Sequence, residues 1–465
     1  MKLAHVTLTK GTIWTLASFG GGQLIRLSTN VILTRLLAPQ LFGIMVIVNA
    51  LKTGVELVSD VGIGQSIVYN KNADDPDFCN TAWTLRSIRG LLLWGVVCAA
   101  AAPIAHFYEN PTLLLILPIA SFVLVISGFS SINQYLIQRK LQIAKLTAYE
   151  IISGAFWAVG QVTLAYFIPT IWALVFGLLF GSAIEMIGSY FLLPEVRHRF
   201  KISKSYTWQI LHFGKWIFLS STVYFLSISF DRFYLAGVMP LALLGVYGIS
   251  RSISEMLSML VVRLGNVVIF PFIASHSHLP PAVLRDQLVS IRLTFLLIAA
   301  FGFSFSAATV DLAIKIVFDQ RYHAAGWMVP VLIIGSWISI LCSLNESTLL
   351  GLGKPIYGAI ANSVKLGWLL IALPVSFIQF GVGGSIVVIA VSDTWRYLPI
   401  LIGQNRMSFA FGVQDLLMTL LVFGLVGIFE TLRWLVGLGT SFESLPIDAV
   451  PSIGELLSWL KLWLR

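Results

Sequence analysis

Apolar runs of twenty residues or more recur along the whole chain, separated by short polar stretches. They fall at 11–37, 41–68, 85–106, 112–136, 146–168 and 171–193. A polar, basic stretch, PEVRHRFKISKSY, then fills 194–206. Further runs follow at 209–238, 241–272, 288–311, 326–350, 355–379 and 382–403, with a weaker one at 413–436. A helix of about 20 apolar residues crosses a hydrocarbon core of roughly 30 Å, so each run predicts a transmembrane helix. The first run follows Lys2 and Lys10 but is too long for a signal-peptide core and lacks a small-residue cleavage site. It therefore predicts a retained first helix. The final stretch, PSIGELLSWLKLWLR, mixes Glu455, Lys461 and Arg465 with Trp and Leu at helical spacing, which predicts an interfacial amphipathic helix.

Six runs precede the basic stretch and six follow it before the weaker one. The expected architecture is an all-α polytopic membrane protein with two pseudo-symmetric six-helix lobes. The N-terminal lobe covers 1–193, a basic linker 194–208, the C-terminal lobe 209–404, and an extra helix with its tail 405–465. Two ungapped matches support an internal repeat. LLAPQLFGIMVI (36–47) lies over VMPLALLGVYGI (238–249) with Gly43 over Gly245, and YLIQRKLQIAKLTAYEIISG (135–154) lies over TLLGLGKPIYGAIANSVKLG (348–367). Both halves start on the same side, so the repeats are expected to be parallel, related by an axis along the membrane normal. Lys2, Lys10, Lys71, Lys140, Arg197, Arg199, Lys201, Arg285 and Arg406 fall on one side, whereas the other holds little beyond Arg35, Lys315 and Arg321. This asymmetry places the N-terminus and the linker in the cytoplasm and the protein in the cytoplasmic, or inner, membrane.

Composition agrees. The chain has 465 residues, 57% hydrophobic and 11% charged, against roughly 25% charged in soluble domains. The net charge of +9 does not point to nucleic acid, because the basic residues sit in short loops between apolar runs. Cys79, Cys98 and Cys342 are too few and scattered for a disulfide framework or a metal cluster. GLGKP at 351–355 is not a phosphate-binding loop, since Thr348 stands at the first glycine position and Pro355 where Ser or Thr is needed. His276 and His278 have no Cys or carboxylate cluster nearby, so no metal and no cofactor are expected.

Charges inside the runs carry the chemistry. A charge at the bilayer centre costs roughly 2.5–3.5 kcal/mol on insertion scales, so such residues face a cavity or pair with one another. Asn49, Lys52, Glu56 and Asp60 recur at helical spacing on the second run, and Tyr247, Arg251, Ser254, Glu255 and Ser258 on the eighth. At about 1.5 Å per residue, Lys52, Arg26 and Arg251 fall near mid-depth. Asp231 and Arg232 fall in the outer part of the seventh run, with Asp60 and Arg263 closer to the cytoplasm. Two polar stripes predict a water-filled lumen between the halves. The bland alternative is that Lys52–Glu56 and Arg251–Glu255 are i,i+4 pairs that neutralise buried charge. Lys365, Glu150, Glu185, Glu346 and Asp393 are expected to be pairing or packing residues.

Several segments carry a family resemblance. LLAPQLFGIMVIVNALKTGVELVSDVGIGQSIV (36–68), NTAWTLRSIRGLLLW (80–94), LIQRKLQIAKLTAYE (136–150) and IWALVFGLLFGS (171–182) resemble polysaccharide-biosynthesis flippases. These belong to the multidrug/oligosaccharidyl-lipid/polysaccharide exporter superfamily. One departure is Ile143, where many relatives place Phe. The resemblance covers essentially the whole chain and implies two lobes in a V, open to one side at a time. It implies no enzyme activity but the flipping of a polyprenyl-diphosphate-linked oligosaccharide to the outer leaflet. Polysaccharide polymerase and glycosyltransferases are the partners it suggests. In related peptidoglycan-precursor flippases, cavity arginines on the first, second and eighth helices handle substrate. Arg26, Lys52 and Arg251 stand on the matching helices, with a lysine point charge replacing the bidentate fork on the second.

Arg26, Lys52, Arg251, Asn49 and Ser254 are thus the candidate substrate contacts. Glu56, Asp60, Asp231, Arg232, Glu255 and Arg263 are candidates for gating, or for binding a coupling H⁺ or Na⁺. Two alternatives stay open. A cation-coupled drug antiporter of the same superfamily would favour an acid-dominated lumen, whereas here the cations at least balance the acids. A membrane-embedded glycan polymerase or ligase would need a substantial outer catalytic loop, and the longest, near 311–325, holds Asp311, Asp319 and His323.

Overall fold

The computed structural model describes residues 20–60, 62–140, 142–275, 281–352 and 354–443, and among them there are helices and turns but no strand. Between their ends, helices satisfy the backbone groups within their own segment, which a hydrocarbon environment demands. Seven described helices are long and apolar enough to cross a membrane, and one bent series makes an eighth. Residues 11–19 of the first run and the amphipathic tail lie outside the described residues. The chain forms two compact units, Met1–Gly245 and Val246–Arg465.

The first unit holds α1 (20–36), α2 (Pro39–Val58), α3 (Ile63–Tyr69), α4 (Pro76–Phe107), α5 (Leu113–Ser121), α6 (Val123–Gly128) and α7 (Asn133–Arg139). It continues with α8 (Ile143–Phe167), α9 (Ile171–Phe191), α10 (Lys204–Val238) and the opening turn of α11 (Leu241–Ser275). Two runs expected as single helices are broken. The 41–68 run stops at Val58, because the Asp60 carboxylate accepts the Gly62 N–H at 2.9 Å and Gly62 takes a left-handed φ of 65° that favours glycine. Asp60 therefore leaves the helical line of Asn49, Lys52 and Glu56. The 112–136 run becomes α5, α6 and α7, with a 51° bend before α7.

α10 packs along α2, with the Phe225 ring against Gly54. The start of α11 crosses the start of α2 so closely that a Cβ on Gly43 would overlap the Leu241 carbonyl, and one on Gly245 the Pro39 carbonyl. Small residues allow such backbone approach between membrane helices. The basic stretch is a strap on the N-terminal end of α4. Arg199 N–H donates to Asn80 Oδ1 at 2.9 Å, Lys201 N–H to Thr84 Oγ1 at 3.1 Å and Ser203 N–H to Thr81 Oγ1 at 3.2 Å. Its His198 stacks on Trp83 at 5.5 Å, with Nε2 at 2.7 Å from Ser131 Oγ. The units part at Gly245, beyond this strap, because α10 belongs with α2.

The second unit holds the rest of α11, then α12 (Pro281–Val317), α13 (Ala325–Gly351), α14 (Ile356–Arg406) and α15 (Gly412–Leu435). α14 joins the two runs expected at 355–379 and 382–403 and is interrupted at Gly381, whose φ is 59° and ψ −145°. The weak last run is α15, as apolar as the other spans at a mean hydropathy of 1.9. It is fastened to α12 at both ends. Arg292 meets Asp415 at 2.5 Å near one end. Near the other, Arg433 grips both Asp311 oxygens at 2.5 and 2.6 Å. Between them, Ser304 Oγ donates to the Val422 carbonyl at 3.2 Å.

Candidate functional site

In the first unit, Arg26 sits on α1 and Lys52 on α2, both partly exposed, while Asn49 is exposed. Lys52 makes no ion pair with Glu56 among the described residues. Its charged neighbour is Glu185 of α9, which also has Glu150 of α8 nearby. Glu56 and Asp60 lie instead within charge range of Arg89 on α4. The Arg89 guanidinium donates to Ser59 Oγ from Nε at 3.1 Å and from Nη2 at 2.9 Å, and from Nη2 to the Glu56 carbonyl at 2.5 Å. Arg89 thereby satisfies backbone left open where α2 ends, with its cation at the negative end of the helix dipole. Asp231 on α10 is buried and its neighbour Arg232 partly exposed.

Nearly one turn before Arg89, Arg86 lies over the Tyr135 ring at 5.6 Å. Tyr149 and Tyr190 are also within its electrostatic reach. Its Nη1 is buried with no hydrogen-bond partner. Arg86 and Arg89 were absent from the sequence-derived candidates. Their signal is the pair of arginines three apart in TLRSIRG, at the start of the 85–106 run, where they look like the basic flank of a span.

In the second unit several of the described charges at membrane depth are paired. Arg251 meets Glu255 at 3.0 Å, one turn apart on α11. Ser254 between them is fully buried, its hydroxyl donating to the Arg251 carbonyl at 3.0 Å. The side chain of Arg263 lies outside the described residues. Lys365 Nζ meets Asp393 at 2.9 Å, and Arg396 bridges from Asp393, at 3.7 Å, to Glu346. Arg292, 1% exposed, is held by Asp415, Asn345 Oδ1 at 2.9 Å and Gln414 Oε1 at 2.8 Å, with the Phe411 ring 4.5 Å away. Lys365, Glu346 and Asp393 are thus the pairing residues their sequence context suggested. A buried charge left alone costs several kcal/mol, and each pair offsets that cost.

Chemically, the membrane-depth charges Arg251, Arg292, Lys365, Arg396 and Arg433 of the second unit are met by carboxylates of the same unit. The first keeps Arg26, Lys52 and Arg86 without a carboxylate ion pair among the described residues, while Arg89 is held by Ser59 and the Glu56 carbonyl. The sequence matches the polysaccharide biosynthesis protein family over residues 32–326. It is similar to the succinoglycan biosynthesis transport protein ExoT of Rhizobium meliloti (strain 1021), 22% identical over 365 residues that cover 78% of this chain and 72% of that one. The structure is similar to the lipid II flippase MurJ in its inward closed conformation, with TM-score 0.65 and 13% identity over 91% of this chain and 99% of the other. A multidrug resistance MATE family transporter of the MOP superfamily is also similar, with TM-score 0.62 and 11% identity over 87% and 98%. Those two likenesses speak for the fold alone, whereas the family match extends through most of the chain's length. The chain is a multi-pass membrane protein of the polysaccharide biosynthesis protein family.

Proposed function

We propose that this protein flips a polyprenyl-diphosphate-linked oligosaccharide from the cytoplasmic to the outer leaflet, by alternating access, for surface polysaccharide biosynthesis. One observation carries the proposal: a membrane-spanning unit holds Arg26, Lys52 and Arg86 with no carboxylate ion pair among the described residues. A diphosphate brings about two negative charges, and an anion of that kind offsets the cost of cations held at membrane depth. Arg26 and Lys52 are the proposed diphosphate contacts and Asn49 a glycan contact. Arg251, already met by Glu255, is the weaker cation, and Ser254 acts through its support of the Arg251 backbone. Glu56, Asp231 and Glu255, with Arg232 and Arg263, are proposed to release the diphosphate or to couple H⁺ or Na⁺. Asp60, at the α2–α3 break, is proposed to act in gating.

The inner membrane, a cytoplasmic N-terminus and cooperation with polysaccharide polymerase and glycosyltransferases belong to the same proposal. The antiporter alternative shares the fold, but a cationic drug has no use for open cations. The polymerase alternative needs a free catalytic acid in an outer loop. Asp319 there accepts the Arg321 guanidinium at 2.7 Å, and that bond, with the Arg321 backbone N–H, holds its carboxyl below the usual range.

The test is complementation in cells making the cognate glycan. Arg26→Ala is expected to abolish surface polysaccharide at unchanged protein level. Normal polysaccharide with Arg26→Ala and Lys52→Ala together would sink the assignment. Liposomes that move a cationic dye but no lipid-linked glycan would favour the antiporter.

A further inference from the structure

α4 is 32 residues long, about 48 Å at 1.5 Å per residue, which exceeds a hydrocarbon core of about 30 Å. With Phe107 at one face of that core, the opposite face falls roughly 20 residues back along α4, at the level of Arg86 and Arg89. Just beyond, at Asn80–Thr84, the 194–203 strap closes over the helix end. Arg86 therefore sits at the depth of lipid phosphates on the strap's side of the membrane. The two arginines differ at that depth. Arg89 is spent on Ser59 and the Glu56 carbonyl. Arg86 has no hydrogen bond and no ion pair among the described residues, and its Nη1 is shut away from solvent. Glu185 and Glu150 share the surroundings of Tyr149 with it, but neither forms an ion pair with Arg86. The Tyr135 ring supports the guanidinium face, which leaves its edge for a planar, bidentate anion partner.

We infer that Arg86 is a phosphate contact of the first unit, taking the lipid-linked diphosphate at headgroup depth before it reaches Lys52. This rests on the flippase function proposed above and adds a recognition residue outside the Arg26–Lys52 pair. From the Ser59 level, held by Arg89, Lys52 lies seven residues further into the membrane, about 10 Å along α2. The cations thus form an inward series, with Arg86 at its start and Arg89 fixing the helix end between them.

The test measures binding of undecaprenyl diphosphate to the purified full chain, with phosphatidylglycerol and inorganic pyrophosphate as competing probes. Arg86→Ala is expected to weaken undecaprenyl diphosphate about tenfold or more, as loss of a charge-assisted bidentate contact does. Its melting temperature should match the wild type. Arg86→Lys, which keeps the charge without the fork, is expected to lose about threefold and covers the case in which the alanine variant does not fold. Arg89→Ala should lower the melting temperature instead. Undiminished affinity in both Arg86 variants overturns the inference. So does equal competition by phosphatidylglycerol, which would make the site a general headgroup contact, whereas competition by pyrophosphate that is lost in Arg86→Ala supports a diphosphate contact. If Lys52→Ala weakens binding while the Arg86 variants do not, only this inference falls. A wild-type chain that binds no undecaprenyl diphosphate overturns the flippase proposal itself.

Discussion

The two units treat membrane-embedded charge in opposite ways. In the second, Arg292–Asp415, Arg433–Asp311 and Arg396–Glu346 join neighbouring helices, and Lys365–Asp393 joins the two arms of α14, through charges that are mostly buried. In the first, Arg26, Lys52 and Arg86 make no such pair among the described residues, and Arg89 is answered by a hydroxyl and a carbonyl. Paired charges specify which helices belong together, and removing one partner strands the other. Cations without such a pair add little to the fold, and the proposed function gives them an external anion to meet. Residue type alone does not separate the two cases: Lys52 and Lys365 are both lysines inside apolar runs.

The sharpest way to break this comparison is to make the same change in both units. Lys365→Ala leaves Asp393 with only its longer contact to Arg396, at 3.7 Å, and should destabilise the protein by about 3 kcal/mol. Arg292→Ala, which removes the ion-pair partner of Asp415, should cost about 3–5 kcal/mol. Both are read by thermal unfolding of the purified chain. Replacing both partners, as in Arg292→Met with Asp415→Leu, should recover most of that loss, because a packed apolar pair needs no charge compensation. Lys52→Ala should leave unfolding within about 1 kcal/mol yet lower transport about tenfold or more, as loss of a charged contact does. Lys52→Ala unfolding as readily as Lys365→Ala would erase the distinction between the units.

A smaller effect concerns the strap. Burial pushes the His198 imidazole down to about 4 from an ordinary 6.5. The folded strap thus binds fewer protons than the free one between those values, so its docking is strongest above pH 6.5 and weakens as pH falls toward 4. Limited proteolysis at 194–203 should speed up between pH 7.5 and 5, and His198→Phe should flatten that dependence. The smallest change is at Lys201, 2.6 Å from Asp77 with both side chains about half exposed. Its alanine variant should shift stability by under about 1 kcal/mol, and less in high salt.

Helix positions were largely legible, because twenty-residue apolar runs have few structural outcomes in a membrane. Helix integrity was less so. SDVGIG holds the Asp and Gly that stop α2, yet their apolar neighbours carry the run through to Val68, and hydropathy does not register an αL glycine. α15 looked weak as a sequence, but Arg292 and Arg433, both on or facing it, anchor the helix through partners more than a hundred residues away. The Arg251–Glu255 pair was readable from its spacing. The Lys52–Glu56 pair had the same spacing and did not form. Lys52 has Glu185 as its charged neighbour, and Glu56 faces Arg89, neither on the same helix.

Alone, the sequence determined that this is a helical, multi-pass membrane protein, where its spans lie and which residues place charge at membrane depth. Those properties follow from length, periodicity and the cost of charge in hydrocarbon, all of them local. Only the tertiary structure decided which charges are neutralised and which stay open. That choice depends on which helix faces which, a long-range outcome that spacing within one helix does not encode. Arg86 and Arg89 show it most directly. They lie three residues apart on one helix, yet one caps a neighbouring helix and the other waits for an anion.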